Sequence, residues 1–177
     1  NTTIKKEIKI LSLPARHPYM AKFNHKEGIV FVNPDTDYFN NIGGKIDINY
    51  LSKNHKVETY DLVHIHFSFD KIKKNKLKKI IQYFKSNKKP IIWTCHGTES
   101  QRKKNIENGE LQKIIFNNSD KIITLTNGCK KWLNKNLGNK KIEVIKHGYL
   151  MNPGEIDLYK KNIKNKKKTN FIFLIGD

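Results

Sequence analysis

The chain has little cysteine, little arginine and no long apolar run, and each shortage excludes a class of protein. Its 177 residues include only two cysteines, Cys95 and Cys129, which lie far apart in the sequence. A disulfide framework is therefore not expected, and a reducing cytoplasm fits best. No apolar run approaches the roughly 20 residues of a membrane-spanning helix. Residues 1–7 are polar and the apolar run after them is short, so we expect no signal peptide.

Arginine is scarce although the chain is strongly basic. The formal net charge is +19, yet of 35 basic residues only Arg16 and Arg102 are arginine. Proteins that read nucleic-acid sequence favour arginine for bidentate contacts to bases and phosphates, so specific nucleic-acid binding is not expected. Two interpretations of the positive charge stay open. One is a basic face that meets anionic lipid headgroups or an anionic substrate, and the other is an inert solvated surface.

What the chain does contain is an alternation of short apolar segments with lysine-rich helical patterns. The length suits one domain with a sizeable core. Strands are predicted at 7–13, 28–33, 61–67, 91–95, 122–126 and 142–145, and the main helices at 70–89, 110–118 and 128–137. Such alternation is typical of βαβ units, so we predict an α/β fold with a mainly parallel sheet.

Polar side chains follow the predicted strands at their carboxyl ends, where open parallel sheets bind ligands. His66, His96, Thr126 and His147 occupy such positions. Gly97 follows His96 and permits a tight turn and the close approach of a ligand. A neutral imidazole can donate a hydrogen bond to one oxygen and accept one from another, which makes His96 the foremost candidate.

For two pairs of residues near these positions, a structural interpretation is favoured over a functional one. His64 and His66 share one face of a strand, but two ligands are too few for a metal site, so a buried hydrogen-bonded pair is favoured. Cys95 adjoins His96, but neighbouring strand residues point to opposite faces. We therefore favour a buried Cys95 in the core over a Cys–His nucleophilic pair.

The remaining candidates lie in loops. Arg16, His17 and Tyr19 follow the first strand and are candidates for contacts to an acceptor or a phosphate. Gly43 and Gly44 are either a ligand-approaching turn or a plain turn, and the sequence leaves both open.

Thr126 and Asn127 open a helix directly after a strand. Backbone N–H groups at such a position can meet an anion. Plain capping with Asn127 as the N-cap explains the pair equally well, so both interpretations stay open.

Five motifs in order resemble the N-terminal domain of GT-B glycosyltransferases, in particular the large retaining family 4. They are DLVHIHF, KPIIWTCHGT, SDKIITLTNGCKKWL, KIEVIKHGYL and, after a linker, FIFLIGD. The resemblance covers residues 61–177 and has weaker support from the first strand. Two departures stand out: the family's Gly-Gly pair after the first strand is replaced by Pro14 to Tyr19, and His147-Gly148 replaces the usual Asn-Gly.

The resemblance implies a Rossmann-like three-layer αβα domain, the N-terminal half of a GT-B fold. Residues 1–160 would form the acceptor-side domain, and residues 161–177 the linker and first strand of a nucleotide-sugar domain that this chain lacks. The implied reaction moves a sugar from a nucleotide-sugar donor to a saccharide, lipid-linked or small-molecule hydroxyl, with retention. We expect the 177 residues alone to be inactive.

The resemblance also assigns roles to residues. His96 would act catalytically by orienting the sugar and stabilising charge. The implied substrate-binding residues are Arg16, His17, Tyr19, Gly43, Gly44, His66, Gly97, Thr98, Thr126, Asn127, His147 and Gly148. Neither a metal nor a cofactor is expected beyond the nucleotide-sugar co-substrate. The expected location is cytoplasmic, with a peripheral contact to the inner face of the membrane left open. The first alternative is a non-catalytic domain that binds a glycan or an anionic surface. A basic nucleic-acid binder is a less favoured alternative.

Overall fold

The fold is built on one six-stranded sheet. The computed structural model describes residues 7–15, 27–33, 48–66, 72–97 and 106–146, with the backbone alone for 106–108. The strands are all parallel, in the order β2-β1-β3-β4-β5-β6. They are β1 (Ile8–Leu13), β2 (Ile29–Phe31), β3 (Leu62–His66), β4 (Ile91–Cys95), β5 (Lys121–Thr124) and β6 (Ile142–Val144).

Helices connect the strands. They are α1 (Ile48–Asn54), α2 (Lys74–Ser86), α3 (Ile106–Asn118) and α4 (Asn127–Leu137), and a 3-10 helix (Val57–Thr59) precedes β3. From β3 to β6 each strand lies beside the next, so right-handed crossovers place α2, α3 and α4 on the same side of the sheet. The predicted Rossmann-like α/β fold is confirmed.

The core lies between these helices and one face of the sheet. In α2 the buried side chains are Leu77, Ile80, Ile81 and Phe84, the i, i+3, i+4, i+7 stripe that the sequence predicts. They pack in one apolar cluster with alternate residues of the strands, including the fully buried Trp93 of β4. Burying each such side chain contributes on the order of 1.5–3 kcal/mol.

A lysine closes the C-terminus of α3. The Nζ of Lys140 donates to the carbonyl oxygens of Phe116 (2.7 Å), Asn117 (3.0 Å) and Ser119 (3.2 Å). It also lies 5.4 Å from the centroid of the Phe116 ring. Burial lowers the pKa of Lys140, and the charge of nearby Lys85 lowers it further. A cation at this end complements both the orphan carbonyls and the helix dipole.

Most predicted elements agree with the structure, and the differences lie at their ends. Helix α3 begins at Ile106, inside a polar stretch that the pattern does not identify as helical. Helix α2 is shorter than predicted, and the 3-10 helix is not foreseen. The predicted linker, the strand at 171–177 and the domain boundary at residue 160 lie outside the described residues.

Candidate functional site

Three adjacent strands bring the candidate residues to one edge of the sheet. β3 ends at His66, β4 at Cys95 and β5 at Thr124. In the register, His66 lies opposite Thr94, and Cys95 lies opposite Thr124. Because the strands are parallel, their carboxyl ends meet at the same edge, and the residues that follow them lie there too.

Three histidines form a cluster at this edge, which we call the histidine cluster: His64, His66 and His96. The ring centroids of His64 and His66 lie 3.9 Å apart, and those of His66 and His96 lie 5.9 Å apart. His66 is buried, with 1% of its surface exposed. His64 is hydrogen-bonded, as the sequence interpretation requires, but its partner is Thr94: Nε2 and Oγ1 are 2.8 Å apart. Imidazole rings and a hydroxyl group therefore lie close together at this edge of the sheet.

His64 is held in its neutral form. Burial lowers the pKa of His64 to about 4. At neutral pH its ring therefore has one N–H donor and one acceptor nitrogen. Which nitrogen carries the proton depends on the direction of the bond to Thr94. A neutral ring adds polar contacts to the cluster without adding charge.

The turn after His96 is fixed from two elements. The carbonyl oxygen of Gly97 accepts a hydrogen bond from the Cys95 thiol, at 3.1 Å, and another from Nε2 of Gln112, at 3.2 Å. Gln112 is buried in α3. These bonds tie the backbone beside His96 to both β4 and α3, so the position of the imidazole is set by the core.

Sequence reasoning missed Gln112, although a signal exists. Gln112 stands four residues before Phe116, and the two lie on the same side of the helix, where Leu111 and Ile115 are also buried. A polar residue on an apolar stripe has to find a partner, because an unpaired buried amide is costly. Here that partner is the Gly97 carbonyl.

The carboxyl end of β1 is also fixed by polar side chains. Asn33 accepts a hydrogen bond from the Ser12 backbone N–H (2.9 Å) and donates one to the Ser12 carbonyl (2.6 Å). The Ser12 hydroxyl donates to the Pro14 carbonyl at 2.7 Å. Both side chains are buried. They fix the backbone that directly precedes residue 16.

The N-cap of helix α4 lies one residue before the predicted one. Thr126 is the N-cap: its Oγ1 accepts from the Cys129 backbone N–H at 3.1 Å. The prediction of Asn127 as N-cap is wrong, because Thr126 has the extended backbone that a cap requires and Asn127 is the first helical residue. Thr126 and Asn127 are both exposed.

A cavity of about 420 Å³ lies beside α1 and the first half of α2. Its lining residues are Ile48, Asn49, Lys73, Asn75, Lys76 and Lys79. It does not include the histidine cluster, and its three lysines suit an anionic ligand better than a neutral one.

Metal and membrane features are absent from the described ranges. None of their His, Cys, Asp and Glu side chains form a group of three or more that could hold a metal ion. Among the helices of those ranges, none is both long and apolar enough to cross a membrane.

Several predicted site residues cannot be placed. Arg16, His17, Tyr19, Gly43, Gly44, Thr98, His147 and Gly148 lie outside the described residues. Their roles stay predictions, as do the binding roles of His66, His96, Gly97, Thr126 and Asn127. For these last five residues, the structure shows a common location at the carboxyl edge of the sheet.

Comparison with known proteins agrees with this architecture. The family model described as Glycosyltransferase Family 4 matches residues 11–149. That match runs from within β1 to beyond β6 and so contains the histidine cluster. No curated protein matches the chain. With a six-stranded parallel sheet, polar side chains along its carboxyl edge and a family match over most of its length, the chain belongs to Glycosyltransferase Family 4.

Proposed function

We propose that this chain is the acceptor-binding domain of a GT-B glycosyltransferase. The enzyme transfers a sugar from a nucleotide-sugar donor to a saccharide, lipid-linked or small-molecule hydroxyl, with retention. The observation that carries the proposal is the histidine cluster at the carboxyl edge of a parallel sheet, inside a family match that covers residues 11–149. Ligands of open α/β sheets bind at that edge.

In this proposal His96 contacts the reacting groups. Its ring is partly buried, and its centroid lies 5.9 Å from that of buried His66. It orients a sugar hydroxyl by hydrogen bonding and stabilises the charge that develops as the glycosidic bond to the nucleotide breaks. Gln112 and Cys95 fix the carbonyl of Gly97, which is adjacent to His96. The His96 ring is therefore positioned before substrate arrives.

The other residues of the edge bind substrate in this proposal. His66, Gly97, Thr126 and Asn127 line the acceptor side. A second domain holds most of the nucleotide sugar, and neither a metal nor a cofactor takes part. The protein works in the cytoplasm, where its lysine-rich surface meets an anionic membrane face when the acceptor is lipid-linked.

A transfer assay with matched variants tests the proposal. The complete product of the gene is incubated with radiolabelled nucleotide sugars and a panel of saccharide and lipid-linked acceptors. We expect transfer, and we expect His96→Ala to lower kcat/KM by about a hundredfold, the effect of removing one preorganised donor. The 177 residues alone should give no turnover. The control is His55→Gln, since His55 follows α1 and stands outside the cluster.

Three outcomes contradict the proposal. Transfer that His96→Ala leaves unchanged would remove His96 from the reaction. Tight glycan binding without transfer by the complete product would instead support a non-catalytic binding domain, and steep salt-dependent binding to DNA or RNA would support a nucleic-acid binder.

A further inference from the structure

Two cysteines that are far apart in sequence meet behind the histidine cluster. The Sγ atoms of Cys95, the last residue of β4, and Cys129, in the first turn of α4, lie 3.8 Å apart. Both are free thiols. Cys95 is 1% exposed, whereas Cys129 is only partly buried. Cys129 is therefore the more exposed residue of the pair, and the sulfur of buried Cys95 lies against its sulfur.

Their hydrogen bonds make the two thiols unequal. In the neutral pair the Cys95 thiol donates to the Gly97 carbonyl at 3.1 Å, and the Cys129 thiol donates to the Cys95 sulfur. When Cys129 ionises, the Cys95 S–H can turn toward the thiolate. This bond lowers the pKa of Cys129, and the same bond together with burial raises the pKa of Cys95.

The position of Cys129 also favours its thiolate. Cys129 lies three residues after the N-cap Thr126, so its sulfur is close to the positive end of the α4 dipole. Thiolates are the nucleophiles of thiol–disulfide exchange, and cysteines at helix N-termini react most readily. The greater exposure and the greater thiolate character thus coincide on Cys129.

We propose that Cys95 and Cys129 form an oxidisable dithiol site that a low-molecular-weight disulfide converts into an intramolecular disulfide. The Cys129 thiolate attacks one sulfur of the reagent, forms a mixed disulfide and releases the first reagent thiolate. Cys95 then attacks the Cys129 sulfur and displaces the second reagent thiolate, which takes up the Cys95 proton. Two protein thiols are oxidised, and one reagent disulfide is reduced to two thiols.

The second step is local. The sulfurs have to approach from 3.8 Å to about 2.05 Å, the length of a disulfide bond. Cys95 needs no access to solvent, because the sulfur that it attacks is already in contact with it. Oxidation also removes the S–H donor to Gly97, so the turn beside His96 keeps only its bond from Gln112. The site therefore connects the redox state of the thiols to the edge of the sheet. The chemistry itself does not depend on the proposed transferase activity.

Mass spectrometry under native conditions tests the proposal. The chain is incubated with glutathione disulfide, quenched with N-ethylmaleimide and measured intact and after digestion. We expect the loss of two hydrogen atoms, no glutathione adduct, protection of both cysteines from alkylation, and reversal by dithiothreitol. We also expect the native chain to close the disulfide about tenfold or more faster than the same chain in urea, because folding holds the sulfurs in contact.

Single serine variants separate the two steps. Cys95→Ser should accumulate a stable glutathione adduct on Cys129, because no second thiol is present to displace it. Cys129→Ser should leave Cys95 reduced in the native chain and reactive only in urea. Circular dichroism establishes that each variant is folded, and the comparison of native and urea-unfolded wild type needs no variant.

The proposal is overturned by either of two results with the wild-type chain. One is a glutathione adduct on Cys129 as long-lived as that of Cys95→Ser. The other is disulfide formation that is no faster in the native chain than in urea.

Discussion

His64 shows what burial does to an ionisable side chain at the edge of the sheet. Its ring lies against that of His66 at a tilt of 37° and is hydrogen-bonded to Thr94, and burial lowers its pKa from the usual 6.5 to about 4. The unfolded chain therefore binds a proton at a pH where the folded chain does not. For a base with a depressed pKa, stability is complete above about pH 6.5 and decreases as the pH falls toward 4.

The first prediction concerns this pH dependence. Between pH 7 and pH 5, His64 should cost the folded state about 2 kcal/mol, given the two pKa values and about 1.4 kcal/mol per pKa unit. His64→Gln keeps a partner for Thr94 but does not titrate, so it should lose correspondingly less over that interval. Urea unfolding at both pH values measures the difference. Equal losses in the two proteins would contradict the assignment, since burial also lowers the pKa of His55 and both proteins share that contribution.

At the scale of the element, α3 shows how a helix can end without glycine. Three C-terminal carbonyls are satisfied by the ammonium group of one lysine 22 residues beyond the helix, Lys140. The contact joins α3 to the segment between α4 and β6. Helix capping and tertiary packing are thus performed by the same side chain.

The second prediction concerns this cap. Lys140→Met keeps the aliphatic stem but removes three hydrogen bonds and the charge at the helix end. We expect a loss of about 1–3 kcal/mol in the free energy of unfolding, because three carbonyls at the helix end, two of them in partly buried contacts, lose a charged donor. The matched control is Lys141→Met, an exposed neighbour, which should stay within about 0.5 kcal/mol of wild type. Equal effects of the two substitutions would exclude the capping role.

The elements that the sequence predicts best are those with local signals at both ends. β4 has its predicted bounds because Pro90 cannot continue the preceding helix and the apolar run ends at Cys95. α4 ends where Gly138 adopts φ 130°, a conformation that side chains disfavour. The location of His66 and His96 at one edge follows from a parallel sheet alone.

What the sequence could not show depends on contacts between distant residues. The pairing of Asn33 with Ser12, the reach of Gln112 to Gly97 and the contact of Cys129 with Cys95 each join separate elements. Local patterns carry no information on such pairs. Thr and Asn are both good N-cap residues, so residue type does not distinguish Thr126 from Asn127. The extended backbone at Thr126 makes it the N-cap.

At the scale of the whole molecule, a basic surface surrounds an ordinary α/β core. The net charge of +19 is carried mostly by lysines, and the ion pairs Lys74–Glu110 and Lys121–Glu143 are solvent-exposed. Exposed pairs contribute little to stability. Repulsion among the lysines therefore opposes the compact state.

The third prediction follows from this repulsion. Raising sodium chloride from about 0.02 M to about 0.5 M should stabilise the chain, because the Debye length becomes shorter than the spacing of the surface lysines. Urea unfolding suits the measurement, since guanidinium is itself a salt. A variant with Lys78, Lys85 and Lys131 changed to Gln should respond less to salt than wild type. A salt response that is absent, or as large in the variant, would contradict the electrostatic origin.

The placement of β1 has a consequence for folding during synthesis. This first described strand lies between β2 and β3, with Ile10 opposite both Phe31 and Leu62. On the ribosome, one side of β1 stays open until residues 62–66 have left the exit tunnel. During that interval its unpaired backbone groups are available to other chains, the hazard of any exposed strand edge. The time-sensitive step in making this protein is therefore the arrival of β3.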